Sequence, residues 1–224
     1  MPALALVACV SLVACAVQPE ALDSVERVDA GIYAMRLPER RLDGATLVPA
    51  RVTLIVGPQG VVVVDSGLAA ADGEAILAAV ERTAHAPVRL LVLTHPSQEA
   101  IFGAAAFAAR GIPVAMSGPA ARLVDARCAT CLDRLRVSVG DAAMARTRVV
   151  APDRLLEDDA TITEAGRPLR VIAPAHSSAP GGLALVDEAL TGERLGAGDE
   201  RRIGDGCGLD GRRRGFSHER LCSS

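Results

Sequence analysis

The sequence predicts a layered α/β domain built from strands and helices in mixed order. Short runs of β-branched and aliphatic residues alternate with segments that have the apolar spacing of helices. Turn residues separate several neighbouring strands closely enough for antiparallel hairpins. The chain of 224 residues is long enough to bury one sizeable core. This pattern argues for helices packed on a sheet that contains both hairpins and crossover connections.

The composition favours an aliphatic core and gives no sign of a nucleic-acid partner. Hydrophobic residues make up 50% of the chain, aromatic residues 2%, and Trp is absent. All 24 basic residues are arginine, which excludes a lysine Schiff base or a lysine general base. The formal net charge of −3 argues against binding driven by a basic surface.

The first 18 residues, MPALALVACVSLVACAVQ, predict an export signal. They are apolar, too short to span a bilayer comfortably, and carry small residues where a signal peptidase would cut. The stretch from Leu12 to Cys15 resembles a bacterial lipobox, in which Cys15 becomes the acylated first residue. The alternative is a secretory signal cut near Ala16. Both place the mature chain outside the cytoplasm, and the lipobox predicts a periplasmic, membrane-anchored lipoprotein.

The remaining elements follow from local patterns in chain order. Predicted strands cover 30–37, 51–56, 61–64, 88–93, 111–116, 147–150, 160–165, 168–174, 182–189 and 193–199. Predicted helices cover 72–83 with Asp72 as the N-cap, 98–110, and 119–139 as one or two helices. The turn at 57–60 joins the second and third strands in a hairpin.

A histidine follows the buried strand at 88–93, where a side chain points into the crevice at the edge of an α/β sheet. Residues two apart in an extended segment share a face, so ligands at positions 95 and 97 would converge on one ion. Position 95 is His95, but position 97 is Ser97. Taken alone, such a histidine is more often a hydrogen-bonded structural residue than a metal ligand.

Four segments in order carry a family resemblance: GVVVVDSG (60–67), THPSQEAIFGAAAF (94–107), PAHSSAPGGLALVD (174–187) and ERLGAGD (193–199). Their order and spacing resemble those of the metallo-β-lactamase-fold hydrolases. The added LDGRRRGF (209–216) resembles an element of the zinc metallohydrolases of quinoprotein relay systems. The resemblance implies an αββα sandwich over residues 28–200 and zinc-dependent hydrolysis of a small molecule such as a lactam, thioester, phosphodiester or lactone.

The resemblance also assigns metal-ligand positions in this sequence. Three are kept: His95, His176 and Asp199. Three are replaced, because Ser97, Glu99 and Ala100 stand where the family has His, Asp and His. A two-zinc centre is therefore not expected. One zinc ion on the three kept residues, with Glu99 as a fourth ligand, is chemically allowed; the alternative is a vestigial crevice with hydrogen-bonded histidines.

Two further candidate sites stand beside the metal-ligand positions. Asp65 after the strand 61–64 is a site-shaping residue in the family, and together with Glu99 it is the candidate for a catalytic role; a simple turn-forming aspartate is the alternative. Cys128 and Cys131 lie one helical turn apart, which favours a structural disulfide or a buried thiol pair over a redox role. No base accompanies the nearby serines, so a serine hydrolase is not expected.

The last residues, 201–224, form an irregular tail rich in arginine and glycine, and they predict a domain truncated at its C-terminus. Three hypotheses follow. The first is a family member that retains weak hydrolysis at one metal ion. The second is a non-catalytic periplasmic protein that binds a quinoprotein or another periplasmic partner, with membrane contact only through Cys15. The third is a decaying gene product that does not fold stably.

Overall fold

A seven-stranded mixed sheet forms the centre of the protein in a computed structural model that describes residues 25–38, 41–42, 45–46, 50–174, 179–188 and 190. The strands are β1 (Val25–Asp29), β2 (Ile32–Arg36), β3 (Arg41–Leu42), β4 (Ala45–Thr46), β5 (Arg51–Gly57), β6 (Gly60–Val64), β7 (Val88–Leu93), β8 (Val114–Ser117), β9 (Arg154–Leu156), β10 (Thr161–Ile162), β11 (Leu169–Ile172) and β12 (Ala184–Asp187). The helices are α1 (Ala70–Ala84), α2 (Gln98–Ile101), α3 (Ala104–Ala108) and α4 (Gly118–Val139).

The central sheet has the strand order β1-β2-β5-β6-β7-β8-β9. Its first four strands are antiparallel hairpin neighbours, and β6 to β9 run parallel, joined by crossovers through the helices. A second, antiparallel sheet has the order β10-β11-β12. The prediction of hairpins together with crossover units is confirmed.

Strand β6 is buried on both faces of the central sheet. Because side chains alternate along a strand, Val61 and Val63 pack with the helices, whereas Val62 and Val64 pack toward the second sheet. Aliphatic and alanine side chains of α1, α3 and α4 cover the first face. Leu169, Val171, Leu185 and their neighbours cover the second. The described residues thus form a helix layer, a sheet and a second sheet, and the predicted layered α/β class is confirmed.

The start of α1 differs from its prediction. The N-cap is Ala69, and Asp72 is the third residue of the helix, where its Oδ2 accepts hydrogen bonds from the backbone N–H of Leu68 at 2.8 Å and of Ala69 at 3.0 Å. Thr147 caps the helix from outside, because its hydroxyl accepts the N–H of Ala70 at 3.0 Å. Asp72 therefore accepts backbone N–H groups at the start of α1, but it does so from inside the helix and not as the N-cap residue.

Two further elements are corrected. The helix expected over 98–110 is two short helices, α2 and α3, because the backbone between them bonds to residues 66–67 instead of continuing the helical ladder. The strand expected at 147–150 is absent: Thr147 N–H closes a turn onto the Met144 carbonyl at 3.0 Å, and Arg146 has a left-handed φ of 61°. The strand predicted at 193–199 and the tail at 201–224 lie outside the described residues.

The region predicted at 119–139 forms one 22-residue helix, α4, capped by the Ser117 hydroxyl, which accepts the N–H of Ala120 at 3.2 Å. Neither α4 nor any other helix in the described part of the chain has an apolar stretch that could span a bilayer.

Candidate metal-site remnant at the carboxyl edge of the sheet

The carboxyl ends of the parallel strands β6 and β7 meet at one edge of the central sheet. Asp65 follows β6, and Thr94 and His95 follow β7. The Asp65 N–H donates to the Val92 carbonyl at 2.8 Å, which brings the two strand ends together. This edge is where ligands bind in open α/β sheets.

A hydrogen-bonded chain joins Asp65, Thr94 and His95. The Thr94 N–H lies 2.8 Å from Asp65 Oδ1, and the Thr94 hydroxyl lies 3.0 and 2.8 Å from the two carboxylate oxygens. The same hydroxyl is 2.7 Å from His95 Nδ1. Asp65 has a left-handed φ of 65°, a conformation that a non-glycine residue keeps only when its surroundings hold it there. The hydrogen bonds to Thr94 supply that restraint.

This chain determines which imidazole nitrogen of His95 is free. The Thr94 hydroxyl has one hydrogen; when Asp65 is ionised its carboxylate can only accept, and Thr94 then donates to Asp65 and accepts from His95 Nδ1–H. The neutral imidazole then carries its lone pair on Nε2. That nitrogen can bind a metal ion or accept a proton.

Opposing effects act on the pKa of the Asp65 carboxyl. Burial raises its pKa above the usual value, whereas the interaction with His95 and the hydrogen bonds from Thr94 act to lower it. The Glu99 carboxylate raises the pKa of Asp65 further, so Glu99 belongs to the same charged cluster. The structure therefore brings together three of the predicted site residues, Asp65, His95 and Glu99.

The positions where the resemblance expects further imidazoles hold small side chains with other contacts. Ser97 Oγ is buried and has no hydrogen-bond partner among the described residues. Ala100 is 2% exposed, and its carbonyl accepts from the backbone N–H of Ser66 at 2.8 Å and from the Ser66 hydroxyl at 2.7 Å. Neither side chain offers a nitrogen that could bind a metal ion.

His176 and Asp199 lie outside the described residues, as does Cys15. Residues shortly after His176 attach to this same edge: the Leu183 N–H donates to the Thr94 carbonyl at 2.8 Å, and the Ser117 hydroxyl donates to the Gly181 carbonyl at 2.5 Å. Within the described ranges, no three His, Cys, Asp or Glu side chains are grouped to hold a metal ion. The donor set there fits one imidazole ligand, His95, and does not fit a two-ion centre.

The predicted cysteine pair lies far from this edge in sequence, in the middle of α4. Cys128 is buried, Cys131 is partly exposed, and both are free thiols. The choice between a structural disulfide and a thiol pair, which the spacing left open, stays a prediction.

Thr94 was not among the predicted site residues, although it directly precedes His95. Thr94→Val is expected to release His95 from its fixed tautomer and to destabilise the fold by about 1–3 kcal/mol, because the Asp65 carboxylate loses a buried donor. Urea unfolding measures the stability, and ¹⁵N chemical shifts of the imidazole report the tautomer. Thr94→Ser keeps the hydroxyl and should behave like the parent. An unchanged Nδ1–H signal in Thr94→Val would contradict the proposed hydrogen-bond direction.

Comparisons with known proteins agree with this architecture. The family model described as the Metallo-beta-lactamase superfamily matches residues 45–191. No protein in a set of curated sequences matches the chain significantly.

Three solved structures illustrate the structural similarity. The metallo-beta-lactamase from Pontibacter korlensis has a TM-score of 0.60 at 19% identity, covering 74% of this chain and 67% of its own. The metallo-beta-lactamase from Hirschia baltica has a TM-score of 0.57 at 15% identity, with coverage of 74% and 67%. FIM-1 from Pseudomonas aeruginosa, in a mono-zinc form, has a TM-score of 0.57 at 14% identity, with coverage of 73% and 63%. The matched region therefore spans about two thirds of the length of these proteins.

Proposed function

The chain belongs to the metallo-β-lactamase superfamily, and from that premise we propose that it is an exported, hydrolase-derived protein with an eroded zinc centre. It retains at most weak hydrolysis at a single ion held by His95, His176 and Asp199. The observation that supports it is the pair of small side chains at positions 97 and 100, where the resemblance expects imidazoles: Ser97 Oγ is buried with no hydrogen-bond partner among the described residues, and Ala100 is buried. The proposal includes export to the periplasm and a lipid anchor on Cys15.

The residues at the sheet edge support one ion better than two. Zinc in catalytic sites has three protein ligands and an open position. His95 offers a free Nε2, fixed by Thr94 and Asp65 in the way that ligand histidines are commonly oriented by a neighbouring group. The hydrogen bond from the Leu183 N–H to the Thr94 carbonyl attaches a segment shortly after His176 to the residue that directly precedes His95. FIM-1, with the same fold, exists in a mono-zinc form.

Each residue of the cluster has a separate task in this proposal. Asp65 is a positioning residue, because it orients His95 through Thr94. Glu99 is the candidate to take the proton from an attacking water, since its carboxylate belongs to the cluster and is not engaged by Thr94. A bound zinc ion would polarise a substrate carbonyl or phosphoryl oxygen and lower the pKa of a water ligand.

Zinc content of the soluble mature protein tests the proposal. We expect one ion per chain at saturation, lost in His95→Ala and kept in His85→Ala, which removes an exposed histidine at the end of α1. Elemental analysis after dialysis against zinc-containing buffer gives the stoichiometry. Zinc that cannot be loaded into the parent chain would refute the one-ion proposal and favour the non-catalytic binding protein. Two ions per chain would refute the eroded centre.

A gain-of-binding variant gives a sharper result. Ser97→His returns an imidazole two residues after His95, where Ser97 Oγ is buried without a partner in the described structure. Loss of a residue that contacts only a metal ligand typically costs about tenfold to hundredfold in metal affinity. A ligand added directly to the ion should therefore raise the zinc affinity by at least about tenfold. Isothermal titration measures the change, and Ser97→Ala is the matched control. Equal affinities in Ser97→His and Ser97→Ala would contradict the placement of position 97 at the metal site.

A further inference from the structure

The cysteines that the structure describes, Cys128 and Cys131, form a thiol pair that the proposed function does not use. They lie three residues apart in α4, which runs unbroken from Gly118 to Val139. Residues at this spacing share one face of a helix. Cys128 is 4% exposed within the apolar cluster that also contains Val124, Leu132 and Met144. Cys131 is partly exposed at the rim of that cluster.

The helix holds the two thiols at a separation that suits a bridging atom better than a direct sulfur–sulfur bond. Positions i and i+3 of a helix have Cβ atoms about 5–6 Å apart, whereas a disulfide requires about 3.5–4.5 Å. In a direct disulfide the two sulfurs are only about 2.05 Å apart, whereas two sulfurs that bind one bridging atom stay farther apart. The Cys131 thiol lies close enough to Cys128 to contribute to the raised pKa of that thiol. A chelate therefore needs less distortion of α4 than a disulfide does.

We propose that Cys128 and Cys131 form a vicinal dithiol site for trivalent arsenicals. Sulfur ligands select soft, thiophilic atoms, and two thiols on one helix face can bind the same atom. With an organic arsenoxide, two As–S bonds form while the As–O bond and both S–H bonds break. The oxygen leaves with the two thiol protons as water. Arsenic stays trivalent, so the step needs no oxidant or reductant.

The environment of the pair favours this reaction over thiol–disulfide exchange. Burial, together with the neighbouring Cys131, raises the pKa of Cys128 to about 11. A thiol of that pKa supplies little thiolate at neutral pH, and exchange proceeds through the thiolate. In the arsenoxide reaction, by contrast, the arsenoxide oxygen takes up both thiol protons and leaves as water. Cys131, as the more exposed thiol, bonds first, and Cys128 closes the chelate.

Phenylarsine oxide is the probe, and intact-mass spectrometry of the full chain is the measurement. We expect one adduct per chain that excess 1,2-ethanedithiol removes. Cys128→Ala and Cys131→Ser should each lower adduct formation at least about tenfold, because a single thiol cannot form the chelate. Cys207→Ser/Cys222→Ser removes two other cysteines and should keep the adduct. Cys128→Ala replaces the buried thiol with an apolar side chain, and a thermal melt of each variant verifies its fold.

Two results would overturn the site. One is an adduct that survives in the Cys128→Ala/Cys131→Ser double variant but disappears in Cys207→Ser/Cys222→Ser. The other is a native chain that forms no adduct and has Cys128 linked to Cys131, as found by thiol titration and peptide mapping. Neither measurement depends on zinc, so the dithiol site and the proposed function stand or fall separately.

Discussion

Gly103→Ala is expected to destabilise the protein by more than about 3 kcal/mol, because position 103 has no room for a side chain. A Cβ there would overlap the Ser66 carbonyl oxygen, lie 2.6 Å from the Ser66 carbonyl carbon and 3.1 Å from its Cβ. The oxygen and carbon are backbone atoms, so they cannot rotate away as a long side chain would. Native domains are stable by only about 5–15 kcal/mol, so this loss is a large fraction of the total.

The same substitution should disturb the site. The Gly103 N–H donates to the Gly67 carbonyl at 3.0 Å, and the Ser66 N–H donates to the Ala100 carbonyl at 2.8 Å. These bonds hold the segment after Asp65 against the α2–α3 junction. Pushing position 103 away from Ser66 would move the backbone that keeps Asp65 in its left-handed conformation. We therefore expect residual Gly103→Ala protein to lose the fixed His95 tautomer as well.

Gly118→Ala is the matched control, because a Cβ at position 118 meets nothing nearer than Arg122 Nη1 at 3.6 Å and lies in the first turn of α4. Alanine also has the higher helix propensity, so its effect should be neutral or slightly stabilising. Urea unfolding followed by circular dichroism compares the two variants. Similar midpoints for Gly103→Ala and Gly118→Ala would show that the close approach at Ser66 does not constrain the fold.

Local sequence patterns were sufficient for the strands and helices whose burial is decided by near neighbours. The run Val61 to Val64 is β-branched and apolar, and it forms the doubly buried β6. The apolar spacing around Ile76 and Val80 gave α1 to within two residues of its start and one of its end. In both elements, the apolar residues that are buried are also those whose spacing predicted the element. Tertiary packing and local preference therefore agree.

Local patterns failed where the backbone conformation depends on a residue that is distant in the sequence. The Thr147 hydroxyl caps α1 from 77 positions away, which no local pattern indicates, and Asp72 is the third residue of α1 and not its N-cap. The break between α2 and α3 follows from bonds to Gly67 and Ser66, and nothing within residues 98–110 alone requires it. The Thr94 hydroxyl was likewise unremarkable in sequence, because its importance depends on Asp65 lying across the neighbouring strand. The edge of the sheet was predictable, and the hydrogen bonds along it were not.

The ion pair between Arg167 and Asp187 is the second feature with a large expected effect. The side chains are 12% and 2% exposed. Arg167 Nη1 also donates to the carbonyls of Ala30 at 2.7 Å and Val56 at 3.4 Å. Asp187 ends β12 in the second sheet, whereas Ala30 and Val56 belong to the first hairpins of the central sheet. The guanidinium therefore fastens one sheet to the other.

Asp187→Ala should lower the free energy of unfolding by about 3–5 kcal/mol, because it leaves a guanidinium buried without its counter-charge. Removing both charges in Arg167→Met/Asp187→Leu should cost less than the two single changes together, since no unpaired charge remains. Asp133→Ala is the control: its pair with Arg136, at 3.2 Å, is exposed at 73% and 42%, so its loss should change stability by less than about 1 kcal/mol. Denaturant midpoints of these three variants, and of Arg167→Met and Asp187→Leu alone, decide the matter. An Asp187→Ala loss no larger than that of Asp133→Ala would mean that the two sheets are held by their apolar contacts alone.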